Sequence, residues 1–287
     1  MSAADRYASR VDAVLAQRTR LRGPQPPGDQ FGNLHPTSPL LQVEVHQPTV
    51  PNFDIVASYV EPDDVIIDVG GGAGRVGLPL AMRCREVINV DPSPTMVAVF
   101  EANAQWAGIS NASAIEADWL DVDPPRGSLA LVKHVAYLTR DIVPFIEKLE
   151  GAATRRVLLT VNSPPPLEWH RGLFERIYGE VEESAPGHVE LMNVLWELGI
   201  EPDLLMLPLP ASIYSVPPTR EAAIERGLTA ARGDQWAMWP LGDDLEARVR
   251  ALLEADFDQL FMRTAEGYVP TWPKFGREVL ITWQPRH

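Results

Sequence analysis

Apolar and polar positions along this chain follow two rhythms. Between about Pro51 and Ser163, short apolar runs alternate with stretches of helical spacing. Asp64-Val65-Ile66-Ile67-Asp68-Val69 reads as a buried strand running into glycines, and Glu86-Val87-Ile88-Asn89-Val90-Asp91 as a second strand. Arg75 to Met82 is predicted helical between them, with Pro79 as a kink. Pro94 to Trp106 carries Met96, Val99, Phe100 and Asn103 at helical spacing. Ala112 to Ala117 is a weak third strand, Leu129 to Lys133 a fourth and Arg156 to Val161 a fifth. A helix through Glu150 is expected before the fifth, capped by Asp141 and closed by Gly151. Strands separated by helices imply βαβ units, right-handed crossovers and a parallel sheet covered on both faces.

The flanks differ. Asp5 to Leu21 predicts an amphipathic helix with Tyr7, Val11, Val14, Leu15 and Arg18 on one side. Gly23-Pro24-Gln25-Pro26-Pro27-Gly28 stops it, and irregular chain follows through Phe31, His35 and His46. After the break at Pro164-Pro165-Pro166, helices are predicted at Val189–Leu198, at Thr219–Ala230, and from a capping-box-like start at Asp243-Asp244-Leu245-Glu246. Leu204 to Leu207 and Glu278 to Trp283 read as strands.

Composition narrows the function. The 287 residues are 45% hydrophobic, enough for a real core, and carry a net charge of −14. That surface repels phosphate backbones, so nucleic acid is disfavoured as a partner. Cys84 is the single cysteine, which excludes an intramolecular disulfide and a cysteine-based metal cluster. No metal is expected, since the six histidines are scattered without an HxxxH pair. No run approaches 18 apolar residues and the opening lacks an apolar signal region, so no membrane partner and a cytoplasmic location are expected.

The chemistry concentrates at Asp68-Val69-Gly70-Gly71-Gly72-Ala73-Gly74-Arg75-Val76-Gly77, where a strand enters, glycines turn and a helix leaves. Such a turn brings backbone close to a ligand, and free amides at the helix start favour a negative group. Gly72 to Gly77 matches G-x-G-x-x-G, the dinucleotide fingerprint. The same stretch, read as Asp68-x-Gly70-x-Gly72-x-Gly74, resembles motif I of class I S-adenosylmethionine-dependent methyltransferases. Asp68 separates the two, because a carboxylate there repels a pyrophosphate and favours the ammonium of a methionine group. The carboxylate of that group is expected on the helix amides. Asp91, seventeen residues beyond Gly74, accepts a ribose diol in either class.

The resemblance implies a Rossmann-like, doubly wound α/β fold with a seven-stranded sheet, mostly parallel with an antiparallel last strand. It implies S-adenosylmethionine as cofactor, held by Asp68, Gly70, Gly71, Gly72, Gly74 and Asp91. Asp118 would accept from the adenine amino group, Trp119 would wall the ring, and Pro92 and Met96 would pack on its other face. Residues 1–50 would form an N-terminal helical lid or extension that either packs on the next zone or is mobile, and 51–287 the methyltransferase domain, with an elaboration at about 210–275. Each residue also has a structural reading: a plain tight turn, a helix cap at Asp91, a solvated acid at Asp118, a core side chain at Trp119. His134 and Tyr137 follow the fourth strand, where this fold presents the methyl group, and are the candidate catalytic residues, with structural packing as the alternative. Trp169, Phe174, Tyr178, Trp196, Tyr214, Trp236 and Trp239 suggest either an aromatic-lined acceptor pocket or core and interface packing, and a homodimer is compatible with them. The expected activity is methyl transfer to a small-molecule acceptor. The alternatives are an NAD(P)-dependent oxidoreductase on a related fold and a non-catalytic S-adenosylmethionine-binding scaffold.

Overall fold

Five apolar runs become five parallel strands: β1 (Val65–Val69), β2 (Glu86–Asp91), β3 (Ala112–Glu116), β4 (Gly127–Lys133) and β5 (Ala153–Ser163). The computed structural model describes residues 1–24, 28–29, 31–32, 38, 40–46, 48–209, 216–232 and 241–286. Later in the chain come β6 (Asp203–Met206), a hairpin of β7 (Phe261–Arg263) and β8 (Tyr268–Pro270), and β9 (Arg277–Trp283). The main sheet has seven strands in the order β3-β2-β1-β4-β5-β9-β6, with β9 antiparallel to both of its neighbours. This is the expected Rossmann-like arrangement, including the antiparallel last strand inserted beside β5. β1 is buried along its whole length, as a central parallel strand covered on both faces must be.

The helices are α1 (Ala3–Arg22), α2 (Phe53–Ala57), α3 (Gly77–Ala81), α4 (Pro94–Trp106), α5 (Ile142–Ala152), α6 (Arg171–Tyr178), α7 (His188–Glu197), α8 (Arg220–Arg232), α9 (Asp243–Ala255) and α10 (Phe257–Leu260). One face of the sheet packs on α1, α5 and α7, and the other on α2, α3 and α4. A third apolar cluster joins Leu173 of α6 to α8, α9, α10 and Trp272.

Several local expectations change. α3 is only five residues long, shorter than the predicted Arg75–Met82, because the turn persists to Val76 and Pro79 follows at once. Asp141 makes no side-chain cap and pairs with Arg140 instead, while Gly151 stays within α5, which enters β5 directly at Ala153. Gly242 occupies the cap of α9, so Asp243, Asp244 and Glu246 lie in its first turn, where carboxylates favour the positive end of the helix. α2, α6 and the β7–β8 hairpin had no periodicity long enough to be read.

α1, within the segment expected as a lid or extension, packs on the sheet and contributes to the core. A capping box between Ser2 and Asp5 starts it, and Ala3, Tyr7 and Val11 join the cluster over β4 and β5. The Tyr7 hydroxyl donates to the Ala136 carbonyl. Full burial of Val11 alone is worth about 1.5–3 kcal/mol. His35, Tyr214, Trp236 and Trp239 lie outside the described residues.

Candidate cofactor and acceptor site

The carboxyl ends of β1, β2 and β4 converge under the glycine turn. Gly70, Gly72 and Gly74 have φ of 68°, 56° and 88°, the left-handed region that favours glycine. At Gly74 the space is closed as well, since a Cβ would lie 2.7 Å from Leu78 and Phe100. The turn is pinned from below. The Gly70 amide donates to the Val90 carbonyl (2.8 Å), that of Gly71 to Asn89 Oδ1 (3.1 Å) and that of Gly72 to Asp91 Oδ2 (2.9 Å). Asn89 returns a hydrogen bond to the Gly72 carbonyl at 3.0 Å. Above Gly72 the space is open, for a Cβ there would meet only Met96 Sδ at 3.7 Å.

Asp91 ends β2, buried, with its second oxygen accepting from the Ser93 amide at 2.9 Å. Burial holds its pKa above the usual value, against the pull of the Ser93 and Gly72 amides. Ser93 caps α4, and its hydroxyl donates to Asp29, whose carboxylate also accepts from the Thr95 amide. This contact fastens residue 29 of the N-terminal segment beside Asp91.

Asp68 is 1% exposed, and its carboxylate lies beneath the turn rather than in open space. Its Oδ2 would stand 2.4 Å from a Cβ at Gly71 and 2.6 Å from one at Gly77. That oxygen has no hydrogen-bond partner among the described residues. Burial, and then the charge of Asp91, push its pKa up to about 7, against the pull of Lys133. The expectation of a fully charged aspartate facing the ligand is corrected accordingly. Asp68 is a buried acid with a raised pKa, lying beneath the thin wall that Gly71 and Gly77 leave.

The remaining predicted adenosine residues divide. Met96 is buried, with its sulfur near the open side of Gly72, while Pro92 is exposed. Asp118 is exposed and accepts from the Leu120 amide at 2.8 Å. Trp119 is 4% exposed, in edge contact with Phe145, its indole N–H donating to the Phe145 carbonyl at 3.4 Å. Its packing is that of a core tryptophan.

Beyond β4, His134 has a φ of 61°, a strained conformation for a residue with a Cβ. Both its ring nitrogens are engaged. Nε2 lies 3.2 Å from Glu278 Oε1, and Nδ1 lies 3.1 Å from the Tyr137 hydroxyl and 3.4 Å from Asn162 Nδ2. Tyr137 is buried and accepts the Asn162 amide. Burial raises its pKa well above the ordinary value. Glu278 also pairs with Lys133 and accepts from Asn52 at 3.0 Å. Burial opposes its ionisation, yet the hydrogen bond from His134 and the charge of Lys133 hold its carboxyl far below the usual range. Burial and Lys133 lower the His134 pKa, so its imidazole is neutral near pH 7.

Glu278, Asn162, Asn52 and Asn89 were not read from sequence as site residues. A polar residue interrupting an apolar run, as in Val87-Ile88-Asn89-Val90, was the available signal. Apart from Trp196, the described aromatic residues singled out in the last third pack within the protein. Arg18 lies over Phe174 and Arg22 over Tyr178, Trp169 packs on Phe275, and Trp196 is exposed.

Residues 66–150 match the family model described as methyltransferase domain. On this Rossmann-like sheet the matched segment is similar to a class I methyltransferase domain, a family whose cofactor is S-adenosylmethionine. The chain is 30% identical over 164 residues to an uncharacterized protein of Haemophilus influenzae, covering 56% of this chain and 60% of that one. It is 31% identical over 119 residues to a 23S rRNA (uracil-C5)-methyltransferase of Xanthomonas euvesicatoria, covering 36% of this chain and 27% of that one. The chain thus spans less than two thirds of the length of either relative. The solved structure of the [4+2]-cyclase SpnF shares the fold, with a TM-score of 0.54, 14% identity, and coverage of 100% of this chain and 98% of that one. Among the described residues, no helix is long and apolar enough to cross a membrane.

Proposed function

We propose that this protein transfers the methyl group of S-adenosylmethionine to a small-molecule acceptor. The observation that carries the reading is the glycine turn, open above Gly72 and backed by carboxylates at the ends of β1 and β2. When bound, the cofactor supplies a methyl group on a sulfonium, an electrophile that needs alignment more than activation. Asp91 accepts the ribose hydroxyls on lone pairs that the Gly72 and Ser93 amides leave free. Asp118 accepts the adenine amino group, and Met96 lies beneath the nucleoside. His134 receives the acceptor's proton at Nδ1, where the acceptor's hydroxyl or amine replaces that of Tyr137. Glu278 keeps the Nε2–H and stabilises the imidazolium.

A small acceptor is favoured by the net charge of −14, which opposes a phosphate backbone. Calorimetry with S-adenosylhomocysteine tests the cofactor. Binding in the micromolar range is expected, and no heat at millimolar ligand, or tight binding of NADH instead, would overturn the reading. A methyl-donor screen with labelled S-adenosylmethionine, run over small molecules and RNA in parallel, tests the acceptor class. Label found only in RNA would refute it.

A further inference from the structure

The site described above leaves the carboxylate at the methionine end of the cofactor without an evident partner. Backbone amides are the obvious donors, but four of the five in the turn are already spent. Those of Gly70, Gly71 and Gly72 bond to β2, and that of Gly74 bonds to the Gly71 carbonyl at 3.1 Å. The helix that follows is five residues long, too short for a useful dipole. Nor does the surrounding charge help, since Asp68 and Asp91 both lie beneath the turn. Lys133 is held by Glu278. His134 donates to the same carboxylate.

Among the described residues around the turn, one cation is left over. Arg75 directly follows Gly74, is half-buried, and has no hydrogen bond or ion pair with the described residues. Burial is the chief cause that lowers the pKa of Lys133 and of His134, and the Arg75 charge adds a smaller push in the same direction. A guanidinium that is partly desolvated and unmatched is costly unless an anion arrives. Its flat fork suits a carboxylate, which it can hold through two parallel hydrogen bonds.

We infer that Arg75 is the binding residue for the carboxylate at the methionine end of the cofactor, in place of the amides of α3. The inference rests on the cofactor reading above and deepens it. It also assigns the two ends of the amino-acid group to opposite charges on one turn, the carboxylate to Arg75 and the ammonium to the side backed by Asp68.

The test compares two ligands that share the adenosine and the thioether. S-adenosylhomocysteine carries the amino-acid end and 5′-methylthioadenosine lacks it. Calorimetry on the whole chain should show that Arg75→Gln weakens S-adenosylhomocysteine by about tenfold to a hundredfold, as expected for a charged hydrogen-bonded pair. Affinity for 5′-methylthioadenosine should stay within about twofold, and Arg75→Lys should recover part of the loss. Arg75→Met, which keeps the apolar stem, replaces the Gln variant if that one does not melt cooperatively. Unchanged affinity for S-adenosylhomocysteine in the Gln or Met variant would overturn the inference and leave the cofactor reading standing. Equal weakening of both ligands would also overturn it, because it would mark a disturbed turn rather than a lost carboxylate contact. A wild-type protein that binds neither ligand would overturn the cofactor reading and this inference together.

Discussion

The strongest physical consequence of the site is a pH-dependent cost at Asp68. Its carboxyl is 1% exposed, one oxygen has no partner, and its pKa stands at about 7 rather than 3.8. At about 1.36 kcal/mol per tenfold, that gap corresponds to about 4 kcal/mol between the two protonation states. The folded chain holds this proton up to about pH 7, whereas the unfolded chain releases it near pH 4. Between those values the native state binds more protons, so this group makes stability fall as pH rises, and above pH 7 the full cost is felt. Asp68→Asn removes the titration. Urea unfolding of both proteins from pH 4.5 to 8.5 should show the difference between them growing in favour of the variant by up to about 4 kcal/mol. Taking the difference cancels groups common to both, including Glu182, which burial pushes up to about 7, and His170, which burial lowers to about 4. Cofactor binding adds a second readout. An ammonium close to the turn favours the ionised carboxylate, so wild-type binding near pH 7 should release a fraction of a proton, visible as a buffer-dependent heat. Parallel stability curves for the two proteins across pH 4.5–7 would refute the argument that Asp68 is desolvated and without a partner.

Asp91→Asn should weaken S-adenosylhomocysteine and 5′-methylthioadenosine alike, by about tenfold, because both carry the ribose diol; equal affinity in calorimetry would remove Asp91 from the site. Gly74→Ala faces both a φ of 88° and a Cβ 2.7 Å from Leu78 and Phe100, so it should cost roughly 2–4 kcal/mol in urea unfolding. A loss below 0.5 kcal/mol would show that the turn can rearrange. Glu278→Gln leaves Lys133 buried without its carboxylate and should cost about 3–5 kcal/mol, with a further fall in the His134 pKa measured by NMR. A His134 pKa that rises instead would contradict the pairing.

The parallel half of the fold was legible because each strand there is a short apolar run bounded by turn residues, and burial on both faces leaves no room for a mixed pattern. Pro94–Trp106 could be read to the residue because Ser93 caps it and Pro94 takes its first position. The glycine turn was legible for a related reason, since few backbones need three left-handed residues in five. What escaped was set by distance along the chain. Glu278 reaches Lys133 across 145 residues only because β9 inserts antiparallel beside β5, which puts Asn162 opposite Glu278. No local pattern encodes that register. Asp68 was legible as a residue and misjudged in its surroundings. Its position at the end of β1 says nothing of the two glycines that close over it. Trp119 shows the same limit, for an aromatic after a strand reads alike whether its ring faces a ligand or Phe145.

The sheet itself explains why these polar groups gather where they do. On the face packed against α2 and α3, Ile66, Leu129, Leu131, Leu158 and Leu280 are all fully buried. One step further towards the carboxyl ends of the parallel strands, the same face turns polar at Asn89, Asp68, Lys133, Thr160 and Glu278. Two of these groups carry a buried oxygen without a partner, Asp68 Oδ2 and Thr160 Oγ1. A chain selected for stability alone would continue the apolar face, since each such atom costs about 1–3 kcal/mol. The change falls where β1 leads to β2 on one side and β4 leads to β5 on the other. There the crossovers diverge, and an open α/β sheet leaves a crevice at its carboxyl edge. The polar band therefore lies along that crevice: Lys133 and Glu278 answer each other across it, whereas the oxygens of Asp68 and Thr160 find no partner among the described residues.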